Sequence, residues 1–273
     1  MVGCGKKTTP AEPVTKPEPK VAVKKPEPAK GEPKAAGKKS TPPKAFTNTL
    51  GMKFVSVPGT EVAFCIWETR VKDYATYAAA NEGVDAGWKK PEFFDEDYKQ
   101  EETHPVVNVS WNDANAFCAW LTKKELAEGK IKEGQKYRLP TDAEWSVAVG
   151  LGQEKGNTPK EKNWGIKDVY PWGKEWPPPN GAGNYHGSLK VDKFEYTSPV
   201  GSFAANKLGL HDMGGNVWEW CEDKYSTVPV LRGASWGNSD IGGLLSSCRY
   251  YNSPDYRNYN VGFRCVLVSG SGG

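Results

Sequence analysis

No Phe, Tyr, Trp, Leu or Ile occurs before Phe46, so the first 45 residues cannot supply the apolar surface that a folded core needs. The same stretch carries nine Pro, eleven Lys and four Glu. Phrases such as Pro17 to Lys20 and Pro26 to Lys30 favour extended, polyproline-like backbone, and residues 1–45 read as a semi-stiff tether. Beyond Phe46 aromatic residues are frequent, all eleven Trp lie past residue 66, and no second low-complexity break follows. The expectation is one domain over residues 46–268, with 269–273 as a flexible tail.

The formal charge of +3 divides unevenly between these parts. Eleven Lys against four Glu put +7 on the tether, which leaves −4 on residues 46–273. A nucleic-acid surface needs Lys and Arg clustered on the domain itself, so nucleic acid is disfavoured as a partner. No run of about eighteen apolar residues is present, so membrane contact is expected only through an anchor. Met1-Val2-Gly3-Cys4-Gly5 resembles the end of a bacterial lipobox, which implies lipidation at Cys4 and display on the outer surface of the cell envelope.

Gly and Pro punctuate the domain densely, as at Gly173, Pro177 to Gly183, Gly214, Gly215, Gly233 and Gly237, and predict short elements joined by long ordered loops. Ser110-Trp111-Asn112-Asp113 is a capping-box variant opening a helix through Phe117, Leu121 and Leu126 to Gly129. Thr141 to Glu144 opens a second through Trp145 and Val149, and a third is expected from Lys72 to Asn81. β-prone runs lie at Lys53 to Pro58, Glu61 to Thr69, Val230 to Gly233 and Val261 to Val268, the last read as a terminal strand. The class is α+β, loop-rich, with few short strands and two or three helices.

Seven motifs then follow in order. They are Gly51 to Val55, His104 to Trp111, Tyr137 to Thr141, Tyr170-Pro171-Trp172-Gly173, Gly214 to Trp220, Arg232-Gly233-Ala234-Ser235-Trp236 and Gly262-Phe263-Arg264-Cys265. Over residues 48–267 the chain resembles the formylglycine-generating-enzyme family, also called sulfatase-modifying factors, which implies their C-type lectin fold. Enzymes of that family oxidise a substrate cysteine to formylglycine with a pair of active-site thiolates soon after an Arg-Gly-Gly-Ser motif. Here those positions fall on about Asn238 and Gly243, and Cys248 has no partner nearby in sequence. No catalytic residue, catalytic cofactor or enzyme activity is expected.

Residues 238–260 replace that site and hold no Lys, Glu, Gln, Met or Trp, while Tyr, Ser, Gly and Asn dominate. That is the composition of antibody binding loops, where Tyr supplies contact area and Ser, Gly and Asn supply adaptable hydrogen bonds. The five missing types are also those unreachable when the adenines of an Asn codon are replaced. The segment resembles the variable region of diversity-generating-retroelement proteins, close to the spirochaete variable-lipoprotein type. That resemblance implies a ligand surface of Ser239, Asp240, Ile241, Gly242, Gly243, Leu245, Cys248, Tyr250, Tyr251, Asn252, Ser253, Tyr256, Asn258, Tyr259 and Asn260. Residues 238–260 are accordingly expected as one contiguous exposed patch, with Trp218, Trp220, Trp236 and Phe263 buried beneath as scaffold.

The family resemblance further implies structural calcium held by oxygen ligands. One set is Asn184, Tyr185, Asp192 and Phe194; the other is Asp212, Gly215, Val217 and Glu219. It also implies a Cys118–Cys265 disulfide, with two buried free thiols as the alternative, since spacing alone pairs no cysteines. Zinc is not expected, as no Cys-x-x-Cys or His-x-x-x-His spacing occurs. The expected function is a monomeric binding protein for a macromolecular ligand, protein or glycan; the competing readings are a formylglycine-generating-type oxidase and a calcium-dependent sugar lectin.

Overall fold

The computed structural model describes residues 45–94 and 96–269. The tether to residue 44, Cys4 and residues 270–273 lie outside the described residues. Three strands open the chain, β1 (Phe46–Thr47), β2 (Lys53–Ser56) and β3 (Val62–Cys65), followed by α1 (Val71–Ala79) and a two-stranded hairpin of β4 (Glu92–Phe93) and β5 (Glu96–Asp97). Then come α2 (Trp111–Ala127), β6 (Lys136–Arg138), α3 (Asp142–Ala148) and α4 (Pro159–Lys162). A long, mostly irregular stretch leads to β7 (Trp218–Lys224), β8 (Pro229–Arg232), β9 (Tyr250–Tyr251), β10 (Val261–Gly262) and β11 (Val266–Val268).

Both expected capping boxes form. The Asp113 N–H donates to Ser110 Oγ at 3.1 Å while the Ser110 N–H donates to Asp113 Oδ2 at 2.8 Å, and Thr141 and Glu144 repeat the exchange for α3. These bonds satisfy N–H groups that a helix start leaves without an intrahelical acceptor.

One sheet runs β1-β2-β3-β11-β6 and the other β10-β7-β8-β9, so the last strand of the chain is locked between β3 and β6. The expected single terminal strand is therefore two strands in two sheets: Val261 pairs in parallel with Trp218, while Val266 pairs with Phe64 and Arg138. The break has a chemical cause. Arg264, fully buried, turns inward and places Nε 2.7 Å and Nη2 2.6 Å from the two carboxylate oxygens of Glu219, while Nη2 also donates to the carbonyls of His211 and Asp212. An extended backbone through 263–265 would leave that carboxylate buried without its counter-charge.

Trp145, Trp220, Phe117 and Phe263 are fully buried, and Trp218 and Trp236 nearly so, as the scaffold reading requires. Tyr74, Tyr77, Phe117 and Phe263 meet edge-to-face and stacked with centroids 5.2 to 6.5 Å apart, the arrangement that ring quadrupoles favour.

Candidate functional site

The segment after Trp236 alternates between surface and core. At its start the Ser235 N–H and Oγ donate to Asn238 Oδ1, and Asp240 Oδ1 accepts from the Gly243 N–H at 2.6 Å, closing a turn with Ile241 half exposed at its tip. The chain then dives. Leu244 to Arg249 are all buried, with Ser246 N–H on the Val169 carbonyl at 2.8 Å and Ser247 Oγ on the Ile166 carbonyl at 2.6 Å. Residues 238–260 are thus not one exposed patch, and Leu245 and Cys248 are not surface positions. Leu245 and Cys248 join the aromatic core because the 166–169 backbone offers hydrogen bonds that pull the chain inward.

Arg249 secures this stitch. Its guanidinium reaches both carboxylate oxygens of Asp142 at 3.0 Å and those of Glu154 at 2.6 and 2.8 Å, with Ser146 Oγ at 3.2 Å. Arg232 also pairs with Asp142 and lies 4.4 Å over the Trp145 ring. Two guanidinium and two carboxylate groups therefore neutralise one another in the interior. Burial alone would raise the Asp142 carboxyl, but Arg232 and Arg249 outweigh it and hold the group below the usual carboxylate range.

One residue later the chain surfaces again. Tyr250 and Tyr251, 49 and 46% exposed, form β9 at the edge of their sheet. Tyr251 stacks on Tyr225 at 4.2 Å and 19°, Tyr250 lies 6.1 Å from Tyr251, and Trp218 supports Tyr250 at 5.7 Å. Further along, Tyr256 and Tyr259 are half-buried; Asn258 Nδ2 donates to Tyr256 Oη at 2.7 Å, and the Tyr259 ring packs on Phe93 at 4.7 Å. The loop between them is anchored to the scaffold, since Asn112 Nδ2 donates to Asp255 and Arg257 pairs with Asp113 at 2.8 Å. Asn260 Nδ2 donates to Ser235 Oγ at 3.0 Å, so Asn260 ties the end of the segment back to its start. Ser239, Asp240, Ile241, Gly242 and Gly243 form one open stretch, and Tyr250, Tyr251, Asn252 and Ser253 another. Sequence reasoning missed Tyr225, which sits beyond β7 and outside the unusual composition; only its place in a turn with Ser226 and Thr227 hinted at exposure.

The two implied calcium sets fare differently. In the first, the Tyr185 and Phe194 N–H groups donate to the two oxygens of Asp192 at 3.0 and 2.9 Å. The Asn184 amide donates to the Tyr196 carbonyl and to Asn216 Oδ1, which leaves Asn184 Oδ1 buried and without a donor. The buried, unpartnered Asn184 Oδ1 is an oxygen donor of the kind a hard cation takes, while both Asp192 oxygens already accept backbone N–H bonds. The second set does not fit calcium. Glu219 already accepts from Arg264 at both oxygens and from Trp145 Nε1 at 3.0 Å, so the carboxylate expected to face calcium faces a guanidinium.

Cys118 and Cys265 do meet, as two thiols with sulfurs 3.5 Å apart, the reduced alternative of the pairing. Positions 238 and 243 hold no thiol, and a side chain at Gly243 would put its Cβ 2.5 Å from Asp240 Oδ2. Burial pushes the Cys248 thiol up to about 11 and the thiols of Cys65, Cys221 and Cys265 higher than that of an exposed cysteine, so these four stay protonated at neutral pH. Among the described residues no helix is long and apolar enough to cross a membrane.

Residues 30–268 match the family model described as the sulfatase-modifying factor enzyme 1-like domain. The chain belongs to that family. Bovine (Bos taurus) inactive C-alpha-formylglycine-generating enzyme 2 is 37% identical to this sulfatase-modifying-factor-like chain over 199 residues, 68% of the chain and 57% of the bovine protein. The formylglycine-generating enzyme of Thermomonospora curvata is 33% identical over 211 residues, 66% of the chain and 61% of that enzyme. The chain thus spans about three fifths of the length of these relatives. Among solved structures, PvdO from Pseudomonas aeruginosa superposes with a TM-score of 0.56 at 22% identity, covering 86% of this chain and all of its own. Treponema denticola variable protein 1 superposes at 0.53 with 19% identity, covering 83% and 100%. The sulfatase-modifying-factor fold of the chain is thereby shown.

Proposed function

We propose that this member of the family is a binding protein, not an oxidase, whose ligand surface is built from the two open stretches of residues 238–260. The observation that carries the reading is the edge strand of Tyr250 and Tyr251. Two half-exposed rings, backed by Tyr225 and Trp218, stand in a segment of binding-loop composition where the family's enzymes place thiolates. Rigid aromatic anchors of this kind tend to carry interface energy. A relative named as inactive and a fold neighbour named as a variable protein agree with the reading.

Adenine-directed replacement of Asn codons diversifies the surface in this proposal, and the buried stitch restricts which replacements at positions 245 and 248 fold. Lipidation at Cys4 and the Pro/Lys tether hold a monomeric domain off the outer envelope surface, and calcium occupies the Asn184, Tyr185, Asp192 and Phe194 set. The genomic locus should carry a near-identical template repeat that differs from the segment only at adenines. Purified protein supplied with copper should leave a Cys-x-Pro-x-Arg peptide unoxidised, whereas copper-dependent formylglycine formation transfers the assignment to the oxidase. The mass of the native, membrane-extracted protein tests acylation, and calorimetric titration with calcium of wild type against Asp192→Asn tests the cation.

A further inference from the structure

We propose that the turn after α4 is a fixed third part of the ligand surface, with Trp164 as an anchor that touches a protein partner and Asn163 as its positioning residue. The inference rests on the reading of residues 238–260 as a binding surface and adds residues outside that segment. Residues 162–165 close a turn in which the Gly165 N–H donates to the Lys162 carbonyl at 2.9 Å. Asn163 has φ −58° and ψ 125°, and Trp164 has φ 56°, the pattern of a type II turn. The third position of such a turn favours Gly, because a Cβ at positive φ crowds the backbone. Here it holds Trp. The fold gains little from that strain, since Trp164 is 50% exposed and, among the described residues, joins none of the buried apolar clusters. Its indole N–H reaches the Cys248 thiol, so the ring is oriented although half of the residue stays open. A Trp held in strain, oriented and left half-open has its use outside the fold.

The turn stands where the two open stretches are joined. The Trp164 N–H donates to the Ser247 carbonyl at 3.1 Å, within the buried stitch. The Asn163 amide is shared between two partners: Oδ1 accepts the Arg249 N–H at 2.7 Å, and Nδ2 donates to Tyr225 Oη at 3.2 Å. Tyr225 in turn stacks on Tyr251 at 4.2 Å. One side chain thus fixes both the residue that precedes β9 and the ring that backs it. Sequence changes within 239–243 or 250–253 leave these hydrogen bonds in place, because they use the main chain of Ser247 and Arg249 and side chains outside the segment.

The polar groups beside the ring favour a protein over a glycan. A glycan lying on an indole needs free, directed hydrogen-bonding groups around it. Both polar atoms of Asn163 are already used, and Glu161 Oε2 is turned back onto the Asn157 and Thr158 N–H groups. A protein offers apolar side chains to Trp164 and the tyrosine rings, and Trp and Tyr are the residues that most often carry such interfaces. Exposed Ser226, Thr227 and Ser253 beside the rings supply an uncharged polar rim.

The test displays the full chain on a cell surface with residues 239–242 and 250–253 randomised, and selects it on lysozyme and, separately, on mannan. Each selected clone is remade with Trp164→Ala, Trp164→Gly and Asn163→Ala, and its dissociation constant and melting temperature are measured. Lysozyme binders with unrelated residues at 250 and 251 should all weaken about tenfold or more with Trp164→Ala and with Trp164→Gly. Trp164→Gly should nonetheless melt close to its parent, since relief of the positive φ offsets the added freedom of the unfolded chain. Asn163→Ala should weaken binding about threefold, and more in clones that keep Tyr251 than in those that do not. Lysozyme binding unchanged by Trp164→Gly overturns the anchor and leaves the ligand surface standing. A joint fall of melting temperature and binding in Trp164→Gly makes Trp164 scaffold and overturns the anchor too. Trp164-dependent clones on mannan alone overturn the protein partner, and failure to select any binder on either probe overturns the ligand surface and the anchor with it.

Discussion

Arg249 and Tyr250 are consecutive residues of one Ser-, Gly-, Asn- and Tyr-rich segment, and the fold uses them in opposite ways. Arg249 is 2% exposed and ties the chain to Asp142 and Glu154; the Tyr250 ring is 49% exposed and leans on the Trp218 and Tyr251 rings. A long surface loop must still be held in one place, and here the fixed point lies inside the segment as well as at its ends. The surface is therefore two open stretches around a buried stitch.

Breaking the stitch should have the largest effect. Arg249→Ala strands Asp142 and Glu154 beside a single remaining guanidinium, and removing one partner of a buried ion network costs about 3–5 kcal/mol. Denaturant unfolding followed by Trp fluorescence should show that loss in midpoint. A change below about 1 kcal/mol would mean that the segment is held by its ends alone.

Much of the scaffold was legible beforehand because local chemistry decides it. Ser110 and Thr141 cap helices wherever the chain goes, and Trp220 and Phe263 are too apolar to leave the core. The stitch was not legible, because Leu244 to Arg249 shares the composition of its exposed flanks and is buried by partners distant in sequence, Ile166, Val169 and Asp142. The same holds for Glu219, whose motif suggested a cation ligand until Arg264 was seen to occupy it, and for the division of Val261 to Val268 between two sheets. Long-range ion pairs leave no local periodicity to read.

A second buried ion cluster sharpens the contrast in another direction. The stitch balances two guanidinium groups against two carboxylates, whereas Glu68, Asp212 and Glu219 share the one guanidinium of Arg264. Burial, with Asp212 and Glu219 adding repulsion, pushes the Glu68 carboxyl well above the usual range, although Arg264 and Asn216 oppose this. A carboxyl raised in the folded state binds its proton more tightly there than in the unfolded chain. Its presence is thus least harmful below the unfolded pKa of about 4.3, and stability falls as pH rises from there towards the folded value. Glu68→Gln should therefore unfold later than wild type at pH 8 relative to its behaviour at pH 4. Parallel pH profiles of the two proteins would show instead that Glu68 is ionised with its neighbours at neutral pH.

The smallest expected stability effect is on the other side of the comparison. Replacing Tyr250 and Tyr251 together by Ala removes two half-exposed rings from an edge strand that, among the described residues, no further strand covers. Each loses a stacking partner, Tyr225 or Trp218, yet exposed substitutions usually fall within about 0.5 kcal/mol, so the double variant should melt close to wild type. Hydrogen exchange should show the β8–β9 pairing, Val230 with Tyr251 and Leu231 with Tyr250, still protected, because Arg249 immediately precedes it and stays in place. A partner selected against the intact surface should nonetheless lose most of its affinity, since two adjacent tyrosines are anchors of the kind that dominate alanine scans. If the variant instead lost the β8–β9 protection, the tyrosines would belong with Arg249 as scaffold, and the open surface would shrink to the 239–243 stretch.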